Sequence, residues 1–179
     1  IKNRLSLIHR KEILMELEKE LKKLIAIKRL EIKNKFNRHI SIQDLFSDRW
    51  ETAKFYGFGE GASCYNNVLI IGDVTVGKHT WIGPNVILDG SGKLEIGKYV
   101  SISAGVQIYT HDTVQWSNSM GKKKIDQQTT KIGDGVFIGS NSVISRGVNI
   151  GHQAIIGAMS FVNKDIPPFS KFYGKDIVS

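Results

Sequence analysis

From Ser6 to Lys35 the apolar residues recur at helical spacing: Leu7, Ile13, Leu14, Leu17, Leu21, Leu24, Ile25 and Ile32, with no Pro or Gly among them. This pattern predicts an amphipathic helix. Leu14, Leu17, Leu21 and Leu24 occupy heptad a and d positions, but Lys28 breaks the seam. A long coiled coil wants about three or four clean heptads, so the helix is expected to lie against a surface. Glu18–Lys22 and Glu31–Lys35 are favourable i,i+4 pairs, whereas Glu12, Glu16 and Glu20 share a row and repel. Asp48 and Glu51 stand at capping-box spacing and predict a second short helix that ends at Gly57.

After Gly57 the period becomes six. Anchors stand at Phe58, Cys64, Ile70, Val76, Ile82 and Leu88, then, after a two-residue phase reset over Asp89–Gly92, at Ile96, Ile102 and Ile108. They return at Ile132, Ile138, Ile144, Ile150, Ile156 and Val162. Gly follows eight of these fifteen anchors, and a small or β-branched residue such as Val86, Val106 or Ser142 stands four positions after most of them. Strands alternate every two residues and helices every 3.6 or so, and neither explains six. A triangular coil does: three short strands per turn, anchors pointing inward and Gly tolerating the corners. Fifteen units make five coils, a prism about 24 Å long at the usual strand spacing. The expected fold is a mainly β, left-handed parallel β-helix preceded by an α-helical segment. The expected boundaries are 1–56 for the helical segment, 57–166 for the β-helix and 167–179 for a C-terminal tail.

Between Ile108 and Ile132 the repeat gives way to an excursion near residues 109–131, YTHDTVQWSNSMGKKKIDQQTTK at its centre. A long break in a solenoid's regular stacking is usually functional. His111 stands where the chain leaves the prism, and imidazole, with an ordinary pKa of about 6.5, suits proton removal from a hydroxyl or amine. Asp112 is a candidate to orient the ring, although adjacent strand residues tend to face opposite ways. Asp89, one coil below and near the same edge, is an equal candidate. Trp116 and the triple lysine Lys122–Lys124 decorate the excursion, either as a solvated tip or as a lid meeting anionic groups.

Charge narrows the picture. The net charge is +8, but residues 1–38 hold twelve Lys or Arg against five Glu, and the rest of the chain is nearly balanced. The basic character belongs to the first helix, so nucleic-acid binding by the whole protein is not expected. The helix either docks its stripe and leaves its lysines in water, or gathers an anionic polymer or membrane surface. A single cysteine, Cys64, excludes an intramolecular disulfide framework and fits a reducing, cytoplasmic compartment. No apolar run approaches the roughly 20 residues of a membrane span.

Residues 57–174, and above all the closing segment IGAMSFVNKDIPPFSKFYG, resemble the hexapeptide acyltransferases, notably the bacterial sugar O-acetyltransferases. The resemblance implies a homotrimer with sites between neighbouring prisms, acetyl-CoA lying along the coils, and His111 as general base. It implies Asn85 at the acceptor, and Asp89, Asp112 and Trp116 are expected around the same site. It puts Ser140 and Ala158 beside the pantetheine. Asn163 and Lys164 fall near the nucleotide end, where Asn departs from the family's Thr, and Lys171 or Lys175 is a further candidate for CoA phosphates. No metal is expected: the repeat is shared with zinc-dependent carbonic anhydrases, but His79, His111 and His152 are far apart in it. The expected function is acetyl-CoA-dependent O-acetylation of a carbohydrate acceptor, a sugar of a bacterial cell-surface glycan or its precursor. N-acylation of a nucleotide-linked amino sugar and a non-catalytic trimeric scaffold remain open alternatives.

Overall fold

The computed structural model describes residues 2–174 and 176–178, and the chain forms two compact units, residues 1–47 and 48–179. In the first unit, helix α1 runs over Lys2–Phe36 and is followed by a short 3-10 turn at Gln43–Leu45. The apolar stripe expected to lie against a surface faces solvent instead: Leu14, Leu17, Leu21 and Leu24 are 63, 63, 48 and 42% exposed. Among the described residues of this unit a three-residue turn is the only other element, so the unit itself has no layer to cover the stripe. The Glu18–Lys22 pair forms at 2.6 Å, while Glu31 pairs at 3.5 Å with Lys28 rather than with Lys35. Both lysines lie on the same helix face as Glu31, and exposed pairs of this kind differ little in energy.

The second unit opens with α2, Arg49–Phe55, whose start is the capping box that the sequence predicts. The Asp48 carboxylate accepts from the Trp50 and Glu51 N–H groups at 2.9 and 2.8 Å, and Glu51 accepts from the Asp48 N–H at 3.2 Å. Ala53 of α2 is buried in the same apolar cluster as the solenoid anchors, and the Thr52 hydroxyl donates to Asn66 Oδ1 at 3.0 Å. This helix therefore covers the first end of the solenoid core.

The solenoid is a parallel β-helix with three faces. The first stacks Ser63–Cys64, Trp81–Ile82, Ser101–Ile102, Phe137–Ile138, Ile155–Ile156 and Lys171–Tyr173. The second stacks Leu69–Ile70, Ile87–Leu88, Gln107–Ile108, Val143–Ile144 and Phe161–Val162. The third stacks Val74–Val76, Leu94–Ile96, Thr130–Ile132 and Asn149–Ile150, with Ile166 bridged to Ile150. Nearly every six-residue anchor is buried, from Cys64 at 0% to Phe58 at 9% exposure; Ile70 is half-buried. Polar fillers beside the anchors find partners: Thr80 Oγ1 donates to Gly97 O at 2.8 Å, and Ser142 Oγ donates to Gly157 O at 2.9 Å. Stacking continues past Val162 through Ile166 to a fully buried Phe172, which pairs with Ile156. A partial coil is thus added to the five that the anchor count predicts, because Pro167–Ser170 still spans a corner despite lacking the Gly signature.

The faces differ outwardly. The first exposes Trp81, Phe137 and Ile155, and the second exposes Leu69 and Phe161. The third presents Glu95, Lys131, Asn149 and Asp165, with Lys131 Nζ 3.0 Å from Glu95 Oε2. Two faces are apolar and one is polar.

Candidate active site

The corner between the second and third faces carries the most unusual chemistry. Strand Ile87–Ile96 rounds it with a register shift opposite Gly72 and Val74, and this is the two-residue phase reset seen in the sequence. The extra residues build a socket for Asp89, which is fully buried. Its Oδ1 accepts from the Ser91 hydroxyl at 2.6 Å and from the Ser91 N–H at 3.0 Å. Its Oδ2 accepts from the Thr110 N–H at 2.8 Å and from the Thr110 hydroxyl at 3.2 Å. His111 Nδ1 lies 2.6 Å from the same Oδ2. Burial alone pushes the Asp89 carboxyl up, but the bonds from Ser91, Thr110 and His111 outweigh it and hold the group well below the usual carboxylate range. An ionised Asp89 fixes the tautomer of the neutral ring with the proton on Nδ1, which leaves Nε2 with a free lone pair.

Of the two acids that competed for the ring in the sequence, Asp89 holds it. Asp112 turns elsewhere: its Oδ1 accepts from the Val114 N–H at 3.0 Å, and its Oδ2 is 2.7 Å from Arg146 Nε. The excursion carries secondary structure of its own, with Lys122–Lys124 exposed at its tip. His111–Asp112 pairs antiparallel with Asp126–Gln127, and helix α3, Val114–Asn118, lies between them. Trp116 stands on α3 and is 49% exposed. Lys123 is tied back, its Nζ donating to Gln115 Oε1 at 2.8 Å.

The other expected residues separate into two groups. Asn85, Ser140 and Ala158 share the corner between the first and second faces, where the Met159 N–H donates to Ser140 O at 2.8 Å. This corner is tightly stacked: a Cβ on Gly139 would stand 2.4 Å from Ala158 N. Asn85 takes a left-handed conformation and forms a ladder with Asn67, whose Nδ2 donates to Asn85 Oδ1 at 2.9 Å. Asn163 and Lys164 are exposed on the same corner column as Asp89 and His111, at the far edge of the second face from Ser140 and Ala158. Lys171 is exposed on the first face, and Lys175 lies outside the described residues. Among the described residues no group of three or more His, Cys, Asp or Glu is placed to hold a metal ion. His79 stacks on Tyr99, and His152 meets Phe169 edge-on.

Three participants escaped the sequence reading. Ser91 and Thr110 donate to Asp89, and Arg146 joins Asp112 to Asp126 across the hairpin. The phase reset at Asp89–Gly92 was a usable signal for the first two. Arg146 has none, because it occupies an ordinary corner position of the repeat.

The fold is a hexapeptide-repeat β-helix with one irregular, polar corner. Residues 129–164 match the family described as bacterial transferase hexapeptide (six repeats), which bears out the resemblance to hexapeptide acyltransferases. The chain is similar to the bifunctional protein GlmU of Thermotoga petrophila, with 42% identity over 80 residues, 45% of this chain and 16% of that protein. It is also similar to the galactoside O-acetyltransferase of Escherichia coli, with 36% identity over 104 residues, 57% of this chain and 41% of that protein. The chain thus spans less than half the length of either relative. Among solved structures, a hexapeptide-repeat-containing acetyltransferase of Vibrio cholerae, complexed with acetyl coenzyme A, superposes with a TM-score of 0.64 at 26% identity. That match covers 89% of this chain and 86% of the other.

Proposed function

We propose that the protein is an acetyl-CoA-dependent O-acetyltransferase acting on a sugar hydroxyl of a cell-surface glycan or its precursor, with His111 as general base. The observation that carries this reading is the 2.6 Å contact between the His111 ring and the buried, ionised Asp89. Nε2 of His111 takes the proton from the acceptor hydroxyl as its oxygen attacks the thioester carbonyl. The tetrahedral intermediate collapses with cleavage of the C–S bond, and the imidazolium returns the proton to the departing thiolate. Asp89 stabilises the transient imidazolium and keeps the ring oriented. No covalent acyl-enzyme is needed, because the thioester is already activated.

The split between the two corners supports a site shared between subunits of a homotrimer. Asn85, Ser140 and Ala158 stand at one edge of the second face, and His111 at the other. In a shared site, His111 of one subunit meets the Asn85, Ser140 and Ala158 corner of its neighbour. Asn163 and Lys164 then serve the nucleotide end of CoA, and Trp116 with Asp112 borders the acceptor. The single cysteine, the buried Cys64, fits a cytoplasmic setting.

Thiol release from acetyl-CoA, measured over a panel of sugars bearing hydroxyl or amino acceptors, tests the reading. His111→Ala should lose about 100- to 10,000-fold in turnover, the usual worth of a general base, while calorimetry still finds acetyl-CoA bound. Near-normal turnover by this variant would remove His111 from the mechanism, and acceptance of amino sugars alone would move the activity to N-acylation.

A further inference from the structure

Asp112 and Asp126 are direct cross-strand partners in a hairpin that is only two residue pairs long. Like charges directly opposite one another destabilise a strand pair; just beyond this short ladder the Gln128 N–H donates to Thr110 O at 2.8 Å, but nothing in that bond offsets the facing carboxylates. Arg146 meets both carboxylates. Its Nη2 is 2.5 Å from Asp126 Oδ2, and its Nε is 2.7 Å from Asp112 Oδ2, the latter an ion-pair contact without hydrogen-bond alignment. The three side chains are 28, 33 and 32% exposed, more shielded than a typical surface pair.

The anchor belongs to the solenoid, not to the excursion. The Ser145 N–H donates to Val162 O at 2.8 Å, and the Gly147 N–H donates to Thr130 Oγ1 at 3.0 Å, which fixes the backbone on both sides of Arg146. His111 immediately precedes Asp112 and pairs with Gln127 across the same hairpin. We infer that Arg146 is a positioning residue: it neutralises the opposed carboxylates, closes the root of the excursion and thereby holds the His111 ring against Asp89. The catalytic half of this inference rests on the function proposed above; the structural half does not.

The test compares Arg146→Met, Arg146→Lys and the double variant Arg146→Met/Asp126→Asn by hydrogen exchange and steady-state kinetics. In Arg146→Met, amide exchange over residues 126–128 should quicken at least about tenfold, and kcat should fall about 10- to 100-fold through misplacement of the base. KM for acetyl-CoA should stay within about twofold, since a displaced base removes transition-state rather than ground-state interactions. Arg146→Lys should fall between, because one ammonium cannot fork to two carboxylates. Removing the opposing charge at Asp126 should restore much of the protection and the rate, a rescue that loss of mere packing would not give. Unchanged exchange in Arg146→Met overturns the inference, as does a double variant worse than the single one. Should Arg146→Met fail to fold, the lysine and double variants decide by the same criteria. Faster exchange with unchanged turnover overturns the positioning role, and His111→Ala measured alongside shows whether the catalytic reading itself still stands.

Discussion

Asp89 concentrates five polar contacts on one buried carboxylate, so its replacement has consequences for both rate and stability. Asp89→Asn keeps the shape but loses the charge that fixes the His111 tautomer, and turnover should fall on the order of 100-fold or more. The folded carboxyl is held below its ordinary value. As pH drops past the ordinary carboxyl pKa of about 4, the unfolded chain therefore takes up the proton first. The stabilisation is fully present above that pH and fades as pH falls toward the lower folded value. Asp89→Asn should melt roughly 3–10 °C below the wild type at pH 7, and the gap should narrow progressively as pH falls below 4. Melting curves recorded at pH 7 and pH 3 check this, and an equal gap at both would contradict it. His111 was legible in the sequence because it stands where a strict period breaks. The choice between Asp89 and Asp112 was not legible, since it depends on which side chain turns inward at a corner, and a six-residue period is silent there.

At the scale of elements, the irregularities of the repeat do the chemistry and the regular coils supply the rigidity. The anchors, the capping box at Asp48 and the excursion after Ile108 could all be read from spacing, because burial in a triangular coil imposes one inward position in six. The phase reset at Asp89–Gly92 was visible, but its role as a carboxylate socket was not; that needs the neighbouring coil, which supplies Thr110. Gly90 lies in this bulge, and a Cβ there would stand 2.3 Å from Asp73 O. Gly90→Ala must push the two coils apart, which should cost about 1–3 kcal/mol and displace Ser91 from Asp89. Urea denaturation and turnover measured on the same variant should both register the change. A variant unaltered in both would mean that the bulge has more slack than its packing indicates. The partial coil ending at Phe172 went unread because prolines replace the usual corner glycine.

For the whole molecule, the proposed trimer is tested at the exposed aromatic residues Trp81, Phe137 and Phe161, which the sequence held only as anchor-minus-one positions. A charge at the centre of an apolar face should split the trimer: Trp81→Glu is expected to sediment as a 20 kDa monomer and to lose activity without unfolding. A trimer that survives the change would place the interface elsewhere. If the basic α1 gathers an anionic polymer, the rate on that polymer depends on salt. Activity on an anionic polymer should fall as salt rises from 0.1 M to 1 M, where the Debye length shrinks from about 10 Å to about 3 Å, while activity on a small neutral sugar should hold. Rates on the polymer that ignore salt would leave the helix charge as a solvated face. The shared site itself is tested most directly by mixing two variants that are inactive alone, His111→Ala and the corner-blocking Ala158→Trp, co-expressed in equal amounts. If the base comes from one subunit and the acetyl-CoA corner from its neighbour, about one quarter of the sites in random mixed trimers are intact. Activity should return to about that fraction of wild type. Mixed trimers that stay as inactive as the separate variants would contradict the account.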